Sequence, residues 1–348
     1  MTTYCFTSIS FSYLSKARVL AWSVKQQHPD WRMILCITDL PPPGFHFCVE
    51  SEDYIDEVIW AGDLPIDPIN GWLFKHDVVE ACTAVKGPVL LSLLERGAEK
   101  VVYLDPDIAV LGPLTPIVDW LDEVSILLTP HQLEPDDEGE AIIDNEICSL
   151  IHGIYNLGFV AVRNDQNGRA FAKWWDKRLR NFCYDEKHRG LFVDQKWCDH
   201  VPSMFDGVKI IRDPGYNVAS WNLSRRRICI PSTGEILVNN VPLRFFHFTK
   251  LGPIGDTMTR RYAKDNVEVY EIWSWYKRKV DQFSEPRIPH GYWHYGRFSN
   301  DQPVQKAVRV LYRHRRDLQE HFRNPFDAEG GDSFFSWLSF NERQLLAA

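Results

Sequence analysis

The chain has 348 residues and a formal net charge of -8, with a sequence pI near 5.8; it is long enough for one large domain or two ordinary ones. That balance gives no broad basic surface for steering toward nucleic acid, so no nucleic-acid partner is expected and any anionic ligand needs local cations. Eight scattered cysteines with no CxxC pair and no Cys/His cluster argue against structural zinc and a disulfide framework and for reduced thiols in a cytoplasmic setting, while signal-peptide and membrane-spanning patterns are missing.

In chain order, Tyr4–Ser8 reads as a strand, Leu14–His28 as a helix with apolar residues at helical spacing, and Arg32–Thr38 as a second strand closed by Pro41-Pro42-Pro43-Gly44. Val58-Ile59-Trp60 reads as a short strand, Phe74–Lys86 and Pro88–Arg96 as helices, and Lys100–Leu104 as a strand. This alternation predicts an α/β domain with a largely parallel sheet, whose ligands collect at the carboxyl ends of the strands. Glu134–Glu146 is acidic and reads as a loop or flap. Gly158–Val162 follows as a strand and Ala170–Asn181 as a helix containing Trp174-Trp175, more in keeping with core than with a sugar platform. From about residue 255 the character changes to aromatic, basic helices, Arg260–Phe283 and Val304–Phe322.

The strand Lys100–Leu104 ends in Asp105-Pro106-Asp107. Two carboxylates at close range repel unless a cation sits between them, and Mg²⁺ or Mn²⁺ takes such oxygen ligands while keeping positions open for phosphate. The plainer alternative is a turn, since Asp and Pro favour turns. His247 ends a probable strand, Leu243–Phe246, and reads either as a third ligand that would suit Mn²⁺ slightly better than Mg²⁺, or as a core histidine. Lys86 is a candidate cation for a departing diphosphate, or a solvated residue at a helix C-terminus. Asp194 could act on substrate or cap a helix starting at Gln195. Asp213, Tyr216 and Asn217 lie on a turn that could line an acceptor site.

Four segments occur in a telling order: "YLDPDI" with Asp105 and Asp107, "YNLGF" (Tyr155–Phe159), "VDQKW" (Val193–Trp197) and "FFHFTKLGP" (Phe245–Pro253). Through them the chain, over roughly residues 4–255, resembles the nucleotide-sugar-dependent glycosyltransferases of the GT-A fold, especially the retaining group of lipopolysaccharide galactosyl- and glucosyltransferases and glycogenin, and within it the bacterial polysaccharide type. The resemblance implies a Rossmann-like α/β fold with a mixed, mostly parallel central sheet. It divides the chain into a catalytic domain, 1–255, and a helical C-terminal extension, 256–348, serving as acceptor, lid or docking element.

It further implies Asp105, Asp107 and His247 as ligands of Mn²⁺ (or Mg²⁺), and Lys250 and Gly252 at the diphosphate, with the order of Lys and Gly exchanged relative to the family. Phe6, Thr7 and Ser8 would hold base and ribose through the backbone; Lys86, Asp105, Asn156 and Gly158 would bind the donor; Asp194 and Gln195 would flank the reacting carbon. The implied partners are a nucleotide-sugar donor, with UDP favoured, and a glycan or glycolipid acceptor, with the hexose transferred in surface polysaccharide or lipopolysaccharide synthesis with retention. Peripheral contact with the inner face of the membrane is compatible with the basic, aromatic tail. The competing readings are a non-catalytic glycan- or nucleotide-binding protein and a sugar nucleotidyltransferase. The latter lacks its expected glycine-rich loop, since "TSISFSYLSKARVL" has no glycine.

Overall fold

The computed structural model describes residues 2–341; residue 1 and the last seven residues of the expected extension, 342–348, lie outside the described residues. Seven strands form the central sheet, and six are β1 (Thr3–Ile9), β2 (Arg32–Ile37), β3 (Glu57–Trp60), β4 (Lys100–Leu104), β6 (Ile126–Pro130) and β7 (Tyr155–Arg163). The seventh is the strand Val208–Ile210, and the sheet runs β3-β2-β1-β4-β7-β6 and then 208–210. Every neighbouring pair is parallel except those made by β7, which runs against both β4 and β6. The expected α/β class with a mixed, mostly parallel sheet is therefore observed.

Alternate residues of the strands serve two cores, as the period of two requires. Phe6, Val101, Tyr103, Val160 and Val162 pack under the helices Lys86–Glu95 and Gln166–Phe182. Cys5, Val102, Leu104, Phe159 and Ala161 face the helices Leu14–Gln27 and Thr115–Glu123 on the other side. A short strand, β5 (Ile108–Val110), leaves the main sheet and joins Phe245–His247, which in turn pairs with Val218–Ala219.

Four expected elements are corrected. The helix expected over Phe74–Lys86 is split into Ile69–Phe74, Val78–Ala84 and the start of Lys86–Glu95. Asp77 opens the second piece with a capping box, accepting from Glu80 N at 2.9 Å while Glu80 accepts from Asp77 N at 2.9 Å. The expected loop over Glu134–Glu146 is helical from Gly139, with a π-helical turn at Ile142–Ile147 that runs on to His152. Arg260–Phe283 is two helices, Pro253–Ala263 and Val267–Gln282, broken where Lys264 takes a φ of 50°. Val304–Phe322 is likewise divided at Arg315.

The described part of the extension packs on the rest of the molecule. Tyr276 stacks on Phe248 at 3.8 Å, and Val308, Tyr312, Phe322 and Phe334 surround Phe74. Buried Arg309 donates to Phe74 O and His76 O, and Arg313 pairs with Glu80 and Glu186 at 2.7 and 2.8 Å.

Candidate active site

The sheet order places β1 between β2, the next strand in sequence, and β4, reached by crossing over. This is a topological switch point, where an open α/β sheet leaves a crevice beyond the carboxyl ends of its strands. The pairing of β1 with β4 ends at Phe6 and Tyr103, and β4 then delivers Asp105 into that crevice. Asp105 N donates to Gly158 O at 2.8 Å and Asp105 O accepts from Ile108 N at 3.0 Å, so Asp105-Pro106-Asp107 is a tight turn between β4 and β5.

β5 brings in the third residue. His247 lies opposite Ile108 in register, and Phe248 N donates to Asp107 O at 2.7 Å. His247 Nε2 thereby stands 3.1 Å from Asp107 Oδ1 and 3.7 Å from Asp105 Oδ2, and the three residues each offer a ligand atom within 4.8 Å of the others. Two carboxylates and an imidazole suit a hard or borderline divalent cation. Burial alone would lower the His247 pKa, but the charge and hydrogen bond of Asp107, then Asp105, hold it above its ordinary value. Burial works the other way on Asp107, and His247 overcomes it and keeps that carboxyl low. The site is thus both a turn and a carboxylate cluster, and the two sequence alternatives for "LDPD" were not exclusive.

Behind Asp105 stands a buried cation. Lys86 Nζ is 3.2 Å from Asp105 Oδ1, 2.9 Å from Asp194 Oδ2 and 3.0 Å from Leu157 O, and lies 4.2 Å above the Tyr103 ring. It is not the solvated helix end that was the alternative, since only 2% of it is exposed and it begins the helix Lys86–Glu95. Burial disfavours its charge, yet Asp105 and Asp194 outweigh that and raise its pKa. Asp194 is pushed up to about 6 by burial, against the pull of Lys86. It does not cap the following turn, whose N-cap is Gln195. Tyr103 donates to Asp105 Oδ1 at 2.6 Å and fixes its rotamer.

Amides pave the side toward β7. Gln195 Oε1 accepts from Leu157 N at 3.1 Å and Asn156 Nδ2 at 3.3 Å, while its amide donates to His152 O. Asn156 Oδ1 accepts from Gly158 N and from Asn217 Nδ2 at 3.1 Å. Asn217, at a φ of 53°, also lies 3.4 Å from His247 Nδ1. Tyr216, expected on an acceptor-lining turn, is instead a core residue, and Asp213 accepts from Gly215 N. Trp221 meets His247 edge to face at 5.2 Å.

Phe6 and Thr7 are fully buried, and Ser8 donates to Cys82 O at 2.6 Å. Lys250 is exposed, with a φ of 53°, and acts electrostatically on Cys148 and His152. Gly252, at a φ of 125°, starts the helix Pro253–Ala263.

Sequence reasoning passed over Tyr13, Lys16, Tyr103 and His131. Lys16 Nζ lies 3.8 Å above the Tyr13 ring. Both feel Asp107: burial pushes the Tyr13 phenol up to about 12, helped by Asp107, and lowers Lys16 against it. Their signal was position, directly after the first strand, where such folds meet their ligands. Cavities of about 460 Å³ beside Arg226 and about 1030 Å³ around Trp293 lie elsewhere, and it is chemistry and topology that identify this site.

No protein-family model matches the chain. It is 28% identical over 260 residues to the uncharacterized protein YfnF of Bacillus subtilis (strain 168), across 71% of this chain and 81% of that one. It is 25% identical over 174 residues to the uncharacterized protein YfnD of the same organism, across 49% and 53%. Among solved structures it is similar to the galactosyltransferase LgtC in complex with donor and acceptor sugar analogs, at 16% identity and a TM-score of 0.46 over 83% of this chain and 98% of that one. A glycosyltransferase involved in the glycosylation of the major capsid of PBCV-1 shows 12% identity and a TM-score of 0.40, over 79% and 98%.

Proposed function

We propose that the chain is a metal-dependent glycosyltransferase that moves a hexose from a nucleotide diphosphate sugar, UDP-linked, to a glycan acceptor in surface polysaccharide or lipopolysaccharide synthesis. The observation that carries this reading is the convergence of Asp105, Asp107 and His247 at the switch point of the sheet, with Lys86 buried behind them. Those three residues would hold Mn²⁺ or Mg²⁺, and the bound ion would supply charge to the departing diphosphate. The donor set, with His247 able to approach because Gly158 has no Cβ against its ring, fits such an ion.

Lys16 and the Tyr13 ring, beside Asp107, are suited to a phosphate and a base. Retention is part of this proposal, and the residues first considered as catalytic bear on its route. Asp194 is committed to Lys86, and the Gln195 carbonyl already accepts two donors. This favours a front-face displacement over a covalent intermediate on Asp194. The bond from the anomeric carbon to the diphosphate breaks, the acceptor oxygen bonds on the same face, and its proton passes to the departing phosphate oxygen.

Residues 1–255 would supply this chemistry and 256–348 the elements packed around it. No helix among the described residues is long and apolar enough to cross a membrane. The cysteines are all free, which supports a reducing, cytoplasmic setting.

Calorimetric titration of nucleoside diphosphates, with Mn²⁺ and with chelator, tests the reading. UDP binding that needs metal and is lost in Asp107→Ala is the expected result. Failure of every nucleotide to bind in the presence of metal overturns it. Metal-dependent binding without hydrolysis or transfer of any donor sugar would instead mark a binding protein.

A further inference from the structure

The helical run Gly139–His152 is amphipathic in the wrong sense. Its polar residues turn inward. Asn145 is buried and donates to Asp136, Glu146 accepts from the Asp136 backbone, and Asp144 is held by Arg261 and by Tyr262 Oη at 2.8 Å. Its aliphatic residues face solvent: Ile143, Ile147, Leu150 and Ile151 are 62%, 44%, 65% and 46% exposed, and Ile154 just beyond is 46% exposed. Their spacing makes one continuous stripe. The π-helical turn at Ile142–Ile147 contributes to it, and such turns, rare in general, recur at functional sites. Ile254, 62% exposed, opens the neighbouring helix, whose Arg261 and Tyr262 hold Asp144.

Cations border the C-terminal end of the stripe, among them Lys196, which pairs with Asp199. His152 packs edge to face on Phe192 at 4.5 Å, next to the exposed turn Lys187-His188-Arg189. Lys187 and Arg189 pair with Asp185 and Glu186 yet keep 40% and 48% of their side chains exposed, and Lys250 stands on the same side. The stripe is purely aliphatic, without the aromatic or Arg anchors that give protein interfaces their energy. An apolar helix face with cations at its edge is the pattern of a surface that lies in a lipid interface.

We propose that this face docks on an anionic bilayer, with the stripe inserted among the acyl chains and Lys187, Arg189 and Lys250 at the headgroups. Ile154 is two residues from Asn156 in the candidate active site, so docking would set that site beside an acceptor carried on a lipid. Only this last consequence rests on the glycosyltransferase reading.

The test is co-sedimentation of the full chain with vesicles of phosphatidylcholine mixed with phosphatidylglycerol, and with phosphatidylcholine alone. The wild type is expected to bind the anionic vesicles preferentially. Leu150→Asp combined with Ile151→Asp should weaken binding by about tenfold or more, whereas Val267→Asp, at an exposed aliphatic elsewhere, should not. A urea-unfolding midpoint close to that of the wild type would show that the double variant is folded. Absence of vesicle binding by the wild type, or binding that the double substitution leaves unchanged, overturns the proposal. So does a wild-type dimer in sedimentation equilibrium that ignores vesicles and that the double substitution dissociates, since the stripe would then be a contact between copies.

Discussion

A Cβ built on Gly158 would stand 2.5 Å from His247 Cε1 and 2.8 Å from its Nδ1, distances that no side chain tolerates. The imidazole can reach the carboxylates only because β7 offers a bare backbone there. Gly158→Ala should therefore displace His247 and weaken Mn²⁺ binding by about tenfold or more, because a ligand moved by 1 Å no longer completes its set; calorimetry with Mn²⁺ alone measures it. Lys86 permits a second test at this scale. Replacing it by Met leaves Asp194 as a buried charge without a partner, which costs about 3–5 kcal/mol. Adding Asp194→Leu should recover most of that loss in urea unfolding. If the double variant is stable but binds UDP weakly, Lys86 serves the ligand as well as the fold.

At the scale of elements, the strands were legible because each alternates between two cores, and the Asp105 and Asp107 pair was legible because an apolar strand runs straight into it. The helix breaks were not, since apolar periodicity continues across Lys75, Asp77 and Lys264, and only side-chain hydrogen bonds or a positive φ interrupt it. The D-x-x-E of Asp77 and Glu80 was a readable start signal. Asp77→Ala should cost about 1 kcal/mol of stability, seen as a lower urea midpoint with an unchanged slope; an unchanged midpoint would mean that packing alone starts this helix. His131 stayed hidden for another reason, and Asn217 was legible only as part of a turn. Both join the site through contacts between segments far apart in sequence, His131 and Asn217 each with Asn156, and no local pattern announces those contacts. The stripe on 139–154 was concealed because an amphipathic pattern does not say which face is turned inward.

For the molecule as a whole, the division at residue 255 separates characters of sequence more than bodies, because the extension completes the core around Phe74. His76 sits at that junction. It is fully buried, its Nδ1 lies 2.8 Å from Trp72 O, and its backbone oxygen accepts from Arg309. Burial, reinforced by Arg313, Lys75 and Arg309, brings its pKa down to about 3 from 6.5. The unfolded chain thus binds a proton between those values while the folded chain does not. The contribution to stability is present in full above pH 6.5 and is lost as pH falls toward 3. Between pH 6.5 and 5 the loss attributable to this group should be about 2 kcal/mol. Urea unfolding of the full chain at several pH values, beside His76→Phe, isolates it: the two stability curves should converge on acidification as the wild type alone loses this term. Parallel curves would mean that the histidine titrates alike in both states and that the junction admits the proton. Convergence within a single cooperative transition would show that the extension and the sheet unfold together, as the buried Arg313, Glu80 and Glu186 cluster at the same junction requires.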